Sequence, residues 1–182
     1  MIEYYTFKHP GVEEKYRDEV FLTLGEHTTI AIFNGSKLGS SSETARKLFV
    51  DILSGKNAQD NFDSMSQDIE NAIPENAEYM ALRIDDAWIN SIRRGGVLAK
   101  IVKNGELKVL PNGVFGLEND DRIVCATEAF FNYIPDEGIL ASALTAESCE
   151  EWMSFLVQRI SDINELKCEN LSCVTLIVRS ED

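Results

Sequence analysis

The sequence predicts an α+β domain whose helices cover antiparallel sheets, and three observations carry that expectation. Segments with period-two apolar patterning and segments with helical spacing are segregated, in the order strands, two helices, a run of strands, a helix and a last strand. Asn104-Gly105 separates two alternating runs and is the strongest hairpin signal in the chain. Ser172 to Val178 is apolar on both faces, which predicts a strand in the interior of its sheet. No linker, repeat or low-complexity tract interrupts the 182 residues, so one domain over 1–182 is expected, and the composition of 44% hydrophobic and 26% charged residues is that of a folded chain.

Each element has its own signal. Tyr4, Tyr5 and Phe7 form a strand-like run that ends at the His9-Pro10-Gly11 turn, and Val20 to Leu24 reads as a short strand paired through a turn with Thr28 to Phe33. Ser40-Ser41-Ser42-Glu43 offers a capping box, after which Ala45, Leu48, Phe49, Ile52 and Leu53 recur at helical spacing until Ser54-Gly55. A second helix is expected from about Ala58 to Ala72, closed by Pro74. From Tyr79 the period changes: Tyr79 to Ile84, Ala87 to Ile92, Val97 to Val102 and Glu106 to Leu110 read as an antiparallel meander. Arg122 to Ala126 is a further buried strand. Cys149, Trp152, Met153, Leu156, Ile160 and Ile163 fall on one face of a helix that Thr145 is placed to cap.

The chemistry excludes several functions. With 17 basic and 31 acidic residues, a net charge of −14 repels phosphate backbones and anionic lipid, so neither nucleic acid nor a membrane is an expected partner. No apolar run is long enough to span a bilayer and no signal-peptide pattern opens the chain, which points to the cytoplasm. Cys125, Cys149, Cys168 and Cys173 lack Cys-x-x-Cys spacing and have neither histidine, His9 or His27, nearby; they read as small buried hydrophobes rather than zinc ligands.

Polar residues collect at the ends of predicted strands. Ile30 to Phe33 stops at Asn34-Gly35, Arg122 to Ala126 stops at Thr127-Glu128-Ala129, and Glu169-Asn170 immediately precedes the last strand. Taken as an ordered set from about Arg17 to the C-terminus, these stretches resemble the signature segments of the metal-dependent serine/threonine protein phosphatases of type 2C. That family has a strand ending in Asp-Gly, a strand ending in Thr-Asp-Gly, and a closing Asp-Asn before a hydrophobic strand. Gly95-Gly96-Val97 and the hairpin after it are similar to the family's Gly-Asp-Ser strand. The resemblance implies an α-β-β-α sandwich of two antiparallel sheets flanked by helices, and a site of strand-end carboxylates holding two manganese or magnesium ions around an attacking water.

By that resemblance the ligand positions fall on Glu19, Asn34, Gly35, Glu128 and Glu169, and the pattern departs at nearly every one. The bridging aspartate falls on Asn34, whose neutral amide is a poor bridge between dications, although Gly35 keeps the carbonyl that the family uses. Glu128 and Glu169 replace aspartates with side chains one methylene longer. The Glu-Asp pair near the N-terminus falls on Asp18-Glu19, the aspartate of Gly-Asp-Ser on Gly96, and a histidine that often follows Asp-Gly on Ser36. The connection from Leu110 to Gly116 is too short for the usual flap insertion. The leading expectation is therefore a pseudophosphatase acting as a regulatory or scaffolding module for a protein partner or phosphoprotein. The rival is a weak or atypical metal-dependent phosphatase with one manganese or magnesium ion on Glu19, Glu128 and Glu169; a small-molecule binder in the relict cleft is a third. The plainer reading of the glutamates is solvated loop charge. Phe130, Phe131 and Tyr133 suit a contact patch, though aromatic residues directly after a buried strand more often belong to a core.

Overall fold

The computed structural model describes residues 1–24, 27–35, 67, 71, 75–85 and 87–180. The helices expected over 40–55 and 58–72 lie outside these, apart from residues 67 and 71. Strands β1 (Ile2–His9), β10 (Leu171–Val178), β9 (Arg122–Ala126), β6 (Leu98–Lys103) and β7 (Glu106–Val109) form one sheet in that order. The second sheet runs β2 (Glu19–Thr23), β3 (Thr28–Phe33), β4 (Tyr79–Asp85), β5 (Trp88–Arg94) and β8 (Gly113–Gly116). Every paired neighbour is antiparallel. Helices α1 (Glu128–Asn132), α2 (Asp136–Thr145) and α3 (Cys149–Asn164) complete the described elements.

Strand alternation sorts the apolar residues into two cores. Ile30, Ile32, Met80, Leu82, Ile123 and Leu176 meet between the sheets. On the other face of the first sheet, Val124 and Cys173 pack with Phe130, Trp152, Leu156 and Ile160 of the helices. β10 contributes to both, which is why all eight of its residues are buried and why its sequence is apolar on both faces.

Two expectations need correction, and two elements, a strand and a helix, leave no signal in the sequence. The four runs from Tyr79 to Leu110 are not one meander: β4 and β5 pair in the second sheet, whereas β6 and β7 belong to the first, where β6 lies against β9. The chain changes sheet at Gly95, whose φ of +74° turns it away from β5. The partner that β5 takes instead is β8, whose Gly-Val-Phe-Gly is too short and glycine-rich to announce a strand. Thr145 does not cap α3; it ends α2 and donates its hydroxyl to the Ala141 carbonyl, while Ser148 is the cap and accepts from the Glu151 N–H at 3.1 Å. α2 itself escaped the pattern because its buried face is Gly138, Ile139, Ser142 and Ala143, too small and too polar to make an apolar stripe.

The buried Arg122 closes the C-terminal end of α2. Its Nη1 donates to the carbonyls of Ala143 and Ala146, and its Nη2 to Asp120 Oδ1 at 3.0 Å. Arg122→Met keeps the stem's volume but strands two helix-end carbonyls, so a loss of about 1–2 kcal/mol is expected in urea unfolding. No helix among the described residues is long and apolar enough to cross a membrane.

Candidate functional site

The seam between the two sheets at the ends of β2, β3, β9 and β10 is closed by polar side chains. Alternation along β2 sends Val20 and Leu22 between the sheets, and with them, one residue before the strand, Asp18. Asp18 is 2% exposed. Its Oδ1 accepts from the Gly35 N–H at 3.0 Å and its Oδ2 from the Ser172 hydroxyl at 2.6 Å, joining the end of β3 to the start of β10. The Tyr16 hydroxyl lies 2.6 Å from the same Ser172 oxygen. Burial raises Asp18 to about 6, helped by the negative charges of Glu13 and Glu169 and resisted by the two hydrogen bonds. Burial also pushes the Tyr16 phenol well above its usual value.

Asn34 is buried at the end of β3 and is fastened to Glu78, the residue before β4. Its backbone N–H donates to the Glu78 carbonyl at 2.9 Å, and its Nδ2 to Glu78 Oε2 at 3.0 Å. A carboxylate cannot donate, so the Asn34 amide must turn its NH2 to Glu78. An aspartate here would set two carboxylates against each other. Glu78 carries no motif in the sequence, and pattern reasoning had no signal by which to find it.

Glu78 and Glu128 both press on the diglycine between β5 and β6. A Cβ on Gly95 would sit 2.3 Å from Glu78 Cγ, and one on Gly96 would sit 2.6 Å from Glu128 Oε2. The longer Glu128 side chain thus lies over Gly96, the position whose carboxylate the resemblance implies and this chain lacks. Two departures at separate points of the sequence are one packing arrangement in space.

The remaining ligand candidates are dispersed. Glu19 pairs with Phe33 across β2 and β3, so alternation puts it on the outer face of the second sheet, away from Asp18. Glu128 begins α1 and is exposed. Glu169 is exposed but near enough to Asp18 to oppose its ionisation. Asn170 is buried, accepting from the Arg17 N–H and donating to the Pro10 carbonyl at 2.9 Å, so it ties down the N-terminal loop. Ser36 lies outside the described residues. Among the described residues no group of three or more His, Cys, Asp or Glu side chains is placed to hold one ion, and Asn34 and Asp18 are engaged with Glu78, Gly35 and Ser172 as above.

Nucleophilic chemistry at cysteine has no support. All four thiols are free and buried, and burial raises Cys149 to about 12 and the others above their usual value. Phe130 is fully buried in the helix-side core, as the core reading expects, whereas Phe131 and Tyr133 are only partly buried against that core. Lys100 Nζ sits 4.6 Å from the Phe131 ring centre.

No family model matches the sequence, and no curated protein does. Solved structures do match. The serine/threonine phosphatase of S. agalactiae superposes with a TM-score of 0.79 over 98% of this chain and 100% of that one, at 12% identity. The catalytic domain of the serine/threonine phosphatase PstP, solved with two manganese ions, gives 0.74 over 98% and 99%, also at 12% identity. The PP2C phosphatase domain of the cell fate determinant SpoIIE from Bacillus subtilis gives 0.78 over 98% of this chain and 63% of that one, at 12% identity. This chain has the type-2C phosphatase fold. Within it, the strand ends that the resemblance identifies as the metal site are those joined here by Asp18, Ser172, Asn34 and Glu78.

Proposed function

We propose that this chain is a pseudophosphatase: a single type-2C-like domain without the usual flap, retained as a cytoplasmic regulatory or scaffolding module that binds a protein partner or a phosphoprotein. One observation carries the reading. The polar groups at the strand ends are spent on one another, Asp18 on Ser172 and Gly35 and Asn34 on Glu78, as in a structural seam rather than an open ligand shell. The neutral Asn34 and the inverted Asp18-Glu19 pair support it, since a bridging ligand between dications needs charge. The likeness to the phosphatase domain of a cell fate determinant suits a signalling role.

The test is a calorimetric titration of chelator-treated protein with manganese, followed by phosphatase assay of the same sample on a phosphoserine peptide. The expected result is no turnover at any metal concentration and no heat up to millimolar manganese. Heat without turnover would assign a structural ion and leave the proposal standing. Turnover that is lost with chelator and with Glu128→Ala would overturn it in favour of an atypical phosphatase using Glu19, Glu128 and Glu169.

A further inference from the structure

Three Asn-Gly dipeptides occur in the chain, at Asn34-Gly35, Asn104-Gly105 and Asn112-Gly113. The pair is chemically labile because glycine has no Cβ to keep its nitrogen from the preceding side-chain amide. The fold treats the three very differently. Asn34 is buried with its amide on Glu78, and the Gly35 N–H is held by Asp18. Asn112 is pinned on both sides of its amide, Oδ1 accepting from the Arg93 N–H at 2.8 Å and Nδ2 donating to the Arg93 carbonyl at 3.4 Å, and Gly113 lies within β8 opposite Ser91. Asn104 and Gly105 form the exposed tip between β6 and β7, with φ of +53° and +77° as a two-residue turn between the paired Lys103 and Glu106 requires. A Cβ on Gly105 would meet nothing within 4 Å, and β7 is an edge strand, so the tip has room and freedom to rotate.

We infer that Asn104 is a spontaneous deamidation site of the folded protein, and that the fold protects the other two pairs. The Gly105 nitrogen loses its proton to hydroxide and attacks Asn104 Cγ. A new C–N bond forms, the bond from Cγ to the amide nitrogen breaks, and that nitrogen takes a proton from water and leaves as ammonia, which regenerates the hydroxide. Water then opens the resulting succinimide at either carbonyl, giving aspartate or isoaspartate. The product carries one more negative charge and, as isoaspartate, one more backbone carbon in a turn that sets the β6–β7 register.

The experiment uses the intact chain, aged in mildly alkaline buffer at physiological temperature, then digested with trypsin and read by mass spectrometry with fragmentation to place the change. Cleavage after Lys and Arg puts the three pairs on separate peptides, 18–37, 104–108 and 109–122. The expected result is an amide-to-carboxyl mass change at Asn104 at least about tenfold faster than at Asn34 or Asn112, because the held pairs react only through local opening. A parallel sample in guanidinium should convert all three at comparable rates. Peptide 104–108 staying unconverted in the native sample while the denatured one reacts would overturn the inference. So would equal conversion of the three pairs in the native sample.

Discussion

Gly35→Ala is expected to bring the domain to the edge of unfolding. The added Cβ would stand 1.8 Å from the Arg17 carbonyl oxygen and 2.2 Å from the carbon behind it, a backbone-to-backbone overlap that no rotamer change relieves. Separating the two segments would also break the bond from the Gly35 N–H to Asp18, and with it the link between β3 and β10 through Ser172. The cost should exceed about 4 kcal/mol, which takes a domain of ordinary stability to the edge of unfolding. Far-UV circular dichroism and urea titration of the variant check this. Retention of wild-type stability would mean that the two segments can part at little cost. Gly105→Ala is the control, since that position has a positive φ but open space, and a loss of only about 1 kcal/mol is expected there.

The close approach at Gly35 explains how far the site could be read from the sequence. Asn34-Gly35, Thr127-Glu128 and Glu169-Asn170 are recognisable because strand ends are local: the first two lie where an apolar run stops and the third where the last one begins. Their partners are not local. Asp18 reaches Ser172 across 154 residues of chain and Asn34 reaches Glu78 across 44, and nothing in either neighbourhood encodes the other. Glu19 was the candidate and Asp18 the residue that faces inward, a distinction made by which residue begins β2 and hence by register. Likewise the fold class followed from periods and hairpin signals. The division of four strands between two sheets hung on the positive φ of Gly95, and the helix α2 on packing of small residues, neither of which leaves a periodic trace.

Asp18 should make the metal-free protein lose stability as pH rises from about 4 to about 7. Burial raises its folded value from 3.8 to about 6. Below 3.8 it is protonated in both folded and unfolded chains and costs nothing. Between the two values the unfolded chain has released the proton that the folded chain still holds, so folding takes up protons and each increment of pH favours unfolding. Above about 6 the full penalty is present, of order 2–3 kcal/mol. Glu3 works in the opposite sense: despite the cost of burial, the Cys149 N–H and the Arg179 guanidinium hold it below its usual value, so it adds stability with rising pH. The informative quantity is therefore the difference between the wild-type and Asp18→Asn curves of unfolding free energy against pH. Asparagine can still accept from Gly35 and bond Ser172 without a charge to bury. The difference should be flat below pH 4, shift by about 2–3 kcal/mol in favour of the variant through pH 4–6, and be flat again above pH 7. A variant less stable than wild type at pH 8 would show that the charged Asp18 is an asset rather than a burden. The same curves measured with millimolar manganese reach back to function, because a cation bound beside Asp18 would favour its ionised form and erase the wild-type loss. A seam that serves only to join the sheets predicts that the metal leaves both curves where they were.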